Sequence, residues 1–212
     1  MSQHANVGDD TAIINRLLAF SDGVFAVALT LLAVELRPPS LDPAATDVAN
    51  LQALAPHFAT YAGTFAVVGV FWLAHMSYMR RLVVFDWPTT AINLLLLFWI
   101  VLAPFASATL GIHGVRPFAW LMYGGVMIGA SLSQTLLWLV VSRDSGRLIG
   151  GVGWRERAFR TMRALSPGLA FSAGYFADTV GQPHLVIWSP LLILPIMLLA
   201  GLLFGWRHRR PV

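Results

Sequence analysis

The sequence predicts an all-α polytopic membrane protein, and three observations carry that expectation. Apolar residues fill 57% of the 212 positions and charged ones only 11%, the mean hydropathy is +0.69, and the apolar residues gather in runs of bilayer length. A soluble domain of this size cannot bury so much apolar surface. Crossing the hydrocarbon takes about 20 residues. On that measure six spans are expected, at about 12–36, 51–79, 88–112, 117–142, 161–180 and 184–206, forming a single membrane domain over 1–212.

The first run follows an acidic start, "NVGDD", with no basic region before it, so it reads as a retained helix and not a signal peptide. The second ends in the basic pair Arg80–Arg81, the third opens after Trp87–Pro88, and the fourth opens at Pro117. The fifth is short and rich in Gly and Ala, with Pro167 near its start; the sixth runs up to Trp206. Trp87, Trp120, Tyr123 and Trp206 sit near span ends, where interfacial anchors belong. All 14 basic Lys/Arg positions are arginine. Under this arrangement twelve of them fall on one side (Arg16, Arg80, Arg81, Arg143, Arg147, Arg155, Arg157, Arg160, Arg163, Arg207, Arg209, Arg210) and two, Arg37 and Arg116, on the other. The positive-inside rule then places both termini in the cytoplasm, which requires an even number of crossings.

The chain has no cysteine, which excludes disulfides, thiolate metal sites and cysteine nucleophiles. No Ser-His-Asp set, His/Glu metal cluster or nucleotide loop can be composed, so neither catalytic nor metal-ligating residues are expected. "GGVG" at 150–153 precedes an arginine-rich stretch and follows no strand, which argues against phosphate binding. Asp178 and His184 flank the short turn between the last two spans and read as solvated.

Two features of the first span stand out. Val27, Thr30, Leu31 and Val34 share one helical face, beside a stripe of small residues at Ala19, Gly23, Ala26, Thr30 and Ala33. Small stripes let helices approach closely in lipid. The aliphatic row can face lipid or another helix; it also has the form of a dewetting constriction if several copies meet around an axis. The second feature is Ser21–Asp22 inside an apolar run. A charge near the bilayer centre costs at least about 2.5 kcal/mol, so a partner is expected. Arg16, His75 and Asn93 fall in the same half of the membrane, and Asp22 accepting from His75, Asn93 or Arg16 would meet that cost. A proton relay through Asp22 and His75 is the functional alternative.

"RLLAFSDGVFAVALTLLAVEL" at 16–36 closely resembles the Arg-x-x-x-Phe-Ser-Asp signature of the transmembrane protein 175 family of potassium channels. "FWLAHMSYMRR" and "NLLLLFWIVLAPF", within 71–105, are similar to that family's second and third helices. The resemblance implies a channel without a carbonyl filter, assembled as a homotetramer in which first helices line a central pore. It implies constriction by Val27, Leu31 and Val34, with Thr30 between them, and an interhelical polar network of Arg16, Phe20, Ser21, Asp22, Trp72, His75 and Asn93. Val27 stands where family members often carry Ile or Leu, which implies a slightly wider neck. Glu35 is expected at the pore mouth, as an acidic ring or as a partner of Arg37.

The function so implied is a potassium-permeable cation channel in a cell membrane, of bacterial type. Its partners would be further copies of itself, the lipid bilayer and monovalent cations, with no nucleic acid and no resident cofactor. A proton-coupled transporter or a proton-conducting pore using Asp22 and His75 is the rival expectation.

Overall fold

The computed structural model describes residues 2–36, 46–114 and 116–204, with side chains described from Asp10 onward and excepting those of 183 and 184. Arg37, Trp206 and the arginines at 207, 209 and 210 lie outside the described residues, and so does the side chain of His184. Six α-helices follow one another among the described residues: α1 (Ser2–Val34), α2 (Asp47–Met79), α3 (Trp87–His113), α4 (Pro117–Val141), α5 (Trp154–Thr179) and α6 (Ile193–Phe204).

Punctuation in the sequence explains the ends. Thr46 caps α2, its hydroxyl accepting from the Ala49 amide at 3.3 Å. Asp86 caps α3 by accepting from the Thr89 amide at 3.0 Å and the Thr89 hydroxyl at 2.8 Å. Pro88 and Pro117 occupy first-turn positions of α3 and α4, where a missing N–H is harmless. Gly114, at φ +64°, ends α3 in a conformation that favours glycine.

Five stretches are long and apolar enough to cross a membrane: Asp10–Val34, Asp47–Met79, Trp87–His113, Pro117–Val141 and Leu185–Phe204. These coincide with five of the six expected spans. The fifth expected span, 161–180, belongs to a helix that starts earlier, at Trp154, and carries Arg155, Glu156, Arg157, Arg160 and Arg163 in its first half. Those charges remove it from the apolar set, although 26 residues at about 1.5 Å each is long enough to cross. The sixth expected span is also not one α-helix. Pro183 and Pro190 remove ladder donors, so Pro183–Leu192 winds as a 3-10 helix before α6 begins.

One continuous apolar core joins all six helices. The most extensive packing is of α4 against α3 and α5. Gly129 makes the α3–α4 approach possible, since a Cβ there would lie 2.5 Å from the Trp99 indole. Between α4 and α5, the Ser131 hydroxyl enters the backbone ladder of α5. It donates to Ala164 C=O at 2.7 Å and accepts from the Gly168 amide at 3.0 Å, spanning the step beside Pro167. A Cβ on Gly168 would stand 2.8 Å from that oxygen.

The connections at the arginine-rich end are pinned by ion pairs. Arg143 reaches Asp86 at 2.6 Å, and Glu156 receives both Arg81 at 2.5 Å and Arg160 at 2.9 Å. Burial alone would raise the Asp86 pKa, but its bonds from Thr89 and the Arg143 guanidinium outweigh burial and hold it below the ordinary carboxylate value. A depressed pKa stabilises the fold fully above the ordinary value of about 3.9, and this contribution is lost as pH falls through the lower folded value. Melting followed from pH 6 to pH 3 should therefore show a fall in Tm below about pH 4. The fall should be shallower in Arg143→Gln; identical profiles would remove the pair from the acid response.

Candidate functional site

The site is built on α1, whose two sides are unlike. Ile14, Ser21, Phe25, Ala28 and Leu32 are buried against the rest of the protomer. Around the helix, Ala19, Phe20, Gly23, Ala26, Val27, Thr30, Leu31, Ala33 and Val34 are exposed. Val27, Leu31 and Val34 are 57%, 41% and 70% exposed, so the described residues of the same chain leave the row open along its length. The Thr30 hydroxyl donates to Val27 C=O at 2.8 Å. Its proton is thus turned back along the helix, which leaves oxygen lone pairs as the polar feature of the row.

The buried side is fixed by two separate polar contacts. One is a chain of hydrogen bonds in a single direction. His75 Nε2 lies 2.7 Å from Asn93 Oδ1, Asn93 Nδ2 donates to Ser21 Oγ at 2.9 Å, and Ser21 Oγ donates to Leu17 C=O at 2.8 Å. These partners assign His75 as the Nε2–H tautomer. All three side chains are buried, and the Phe25 ring centroid sits 5.5 Å from the imidazole. The chain ends on a helical carbonyl, so it ties α1, α2 and α3 together without leading to the exposed row.

The other contact answers the question of the carboxylate's partner. Trp72 Nε1 donates to Asp22 Oδ1 at 2.9 Å. The expectation that Asp22 accepts from His75, Asn93 or Arg16 is corrected here. Consecutive helical residues point about 100° apart, so Ser21 meets α3 while Asp22 meets α2. Arg16 and Phe20 are exposed, and no hydrogen bond or ion pair joins them to this cluster among the described residues. Asp22→Asn keeps an acceptor for Trp72, so assembly should survive and Tm should change by no more than about 1 kcal/mol equivalent. Failure to assemble, seen by size-exclusion chromatography, would show that the charge itself holds the helix.

Glu35 is exposed one residue beyond α1. It borders a cleft of about 170 Å³ between α1, α2 and α3, with His57, Thr60, Tyr61 and Ser107 on its walls. No group of three His, Cys, Asp or Glu side chains placed to hold a metal occurs among the described residues. Sequence reasoning missed two buried contacts of α2. Thr64 joins Ser107 and Tyr123, each at 3.0 Å, and Gln134 Nε2 donates to Phe71 C=O at 3.0 Å. Polar residues inside apolar spans were their only signal in the sequence.

A family model described as the endosomal/lysosomal potassium channel TMEM175 matches residues 16–104, which contain both α1 faces and the three-helix hydrogen-bond chain. A protein named a potassium channel from Chryseobacterium sp. (strain P1-3) is 32% identical over 82% of this chain and 91% of its own length. The endosomal/lysosomal proton channel TMEM175 of Bos taurus is 30% identical over 68% of this chain, which spans 33% of that longer protein. In fold, the chain is similar to the crystal structure of a lysosomal potassium-selective channel TMEM175 homolog from Chamaesiphon minutus. The TM-score is 0.68 at 24% identity, covering 94% of this chain and all of that one.

Proposed function

The chain belongs to the TMEM175 family of multi-pass membrane ion channels and is not an enzyme; from that premise we propose a potassium-permeable channel of the cell membrane, formed by four copies whose α1 helices meet around a central axis. The observation that carries this reading is the row of Val27, Leu31 and Val34, exposed together on a helix whose other side is locked to α2 and α3. Four such rows would make a hydrophobic neck, passing or refusing ions by its radius and wetting. The Thr30 oxygens would be the ligands offered there, and potassium is the permeant ion. In this arrangement α5 is the sixth crossing, both termini are cytoplasmic, and the Ser21–Asn93–His75 chain sets the angle of α1.

The test is the reversal potential of the purified protein in a planar bilayer, with potassium on one side and sodium on the other. A shift toward the potassium equilibrium potential is expected. A second reading, a pore passing mainly protons through transient water, is favoured by the proton-channel name of the Bos taurus relative. The same bilayer under a pH gradient with symmetric potassium separates the two, because only the proton pore would then show a shifted potential.

Glu35 supports a cation-concentrating mouth, since its exposed carboxylate lies beyond the last turn of α1. Glu35→Gln should lower conductance below about 0.01 M salt, where the Debye length reaches about 30 Å, and have little effect near 1 M. Equal currents at both salt levels would remove it from the mouth.

A further inference from the structure

A groove of about 360 Å³ runs between the start of α5 and the end of α6, lined by Trp154, Arg157, Ala158, Thr161, Met162 and Phe204. The α5 residues recur at three- and four-residue spacing, so one helical stripe forms its floor. Apart from Arg157 at its edge and Thr161, the floor is apolar, and the Thr161 hydroxyl is already turned back to Arg157 C=O at 2.8 Å. One end is cationic. Arg155 and Arg157 are both exposed, and the Arg155 guanidinium lies 5.5 Å from the centroid of the Trp154 ring. Glu156, the carboxylate between them, faces away and is held by Arg81 and Arg160. Neither Arg155 nor Arg157 forms an ion pair among the described residues. Trp154 is 70% exposed beside them.

We propose that this groove binds a bilayer phospholipid with an anionic headgroup, an acyl chain lying on the α5 floor and the phosphate on Arg157 at its rim, with Arg155 adding positive charge on the other side of Trp154. A guanidinium matches phosphate oxygens with two parallel donors, and basic side chains at a bilayer surface attract anionic headgroups. An exposed Trp beside them suits the headgroup level. A soluble anion would leave the apolar floor unused. A zwitterionic lipid would bring its own ammonium against two guanidinium groups that no protein carboxylate offsets. The inference needs the membrane setting of this end of the bundle and does not depend on conduction.

Native mass spectrometry of the full-length protein, in the oligomeric state in which it purifies, tests this. The probes are phosphatidylglycerol and phosphatidylcholine in equal amounts, with glycerol 3-phosphate as a soluble competitor. Phosphatidylglycerol should be retained in preference. Arg155→Gln with Arg157→Gln should reduce that retention by about five-fold for each arginine removed, while Arg147→Gln, at another exposed arginine, should leave it unchanged. Ala158→Trp fills the floor and keeps the charges, and it should reduce retention of both lipids. Equal retention of the two lipids by the parent protein would overturn the site. So would an Arg147→Gln loss as large as that of the double variant, undiminished retention in Ala158→Trp, or full displacement by glycerol 3-phosphate.

Discussion

A channel carrying Leu31→Ala should conduct several-fold more current than the parent, and one carrying Val27→Leu should conduct less. Both side chains project from the face of α1 that the described residues leave open, at 41% and 57% exposure. In the proposed ring of four, trimming Leu31 would remove twelve heavy atoms from the axis and weaken the tendency of the neck to dry, which is how an apolar constriction opposes ions. Val27→Leu adds one methylene per subunit at a position already narrowed by branching. Val27→Ala should act in the direction of Leu31→Ala. Because Leu31 and Val27 are not packed within the protomer, these changes should leave its Tm nearly unchanged, which separates a pore effect from loss of protein. Single-channel recording is the measurement; unaltered conductance in all three variants would take the row off the conduction path.

Asn93→Leu should give the largest loss of stability. Asn93 is fully buried and is the middle link between His75 and Ser21, accepting from one at 2.7 Å and donating to the other at 2.9 Å. Leucine has similar bulk but neither function. The His75 Nε2–H then loses its acceptor in a fully buried site, and the Ser21 oxygen loses its donor. Each stranded group costs about 1–3 kcal/mol, for a sum of about 2–6 kcal/mol. Since these bonds join three helices, loss of the proposed tetramer should accompany the lower Tm in a detergent melt. Asn93→Asp, which keeps an acceptor for His75 but not the donor for Ser21, should fall between the two. A melting point for Asn93→Leu within a degree of the parent would show that helix packing alone orients α1.

The helices whose ends the sequence marks were legible in it, and those ending in plain polar sequence were not. Pro117 and the Asp86–Trp87–Pro88 run place the starts of α4 and α3 within one residue of expectation. α1 begins at Ser2 and α5 at Trp154, well before their expected starts, because hydropathy registers the bilayer while a helix continues through polar residues outside it. The exposed row on α1 was legible from spacing, since one face of a helix is a property of the sequence alone. Which polar residues would meet was not. Ser21 and Asp22 are neighbours in sequence, yet one bonds to α3 and the other to α2, a division that depends on how each helix is turned. Gly129 beneath Trp99 and Ser131 inside the ladder of α5 depend on the distance between helices, for which the sequence has no local signature.

The Ser131 hydroxyl has a consequence for how the protein is made. At the Pro167 step the carbonyl that the proline leaves without an N–H, that of Arg163, is met by the Ser166 hydroxyl, and the neighbouring Ala164 C=O and Gly168 N–H are bridged by a side chain from α4. Polar backbone in hydrocarbon needs a partner, so in the proposed six-span arrangement α5 gains this bridge only when α4 is already beside it. Synthesis runs from the N-terminus and delivers α4 first. The order of the helices along the chain therefore delivers the bridging side chain before the helix that uses it, and moving α5 ahead of α4 by circular permutation would reverse that order.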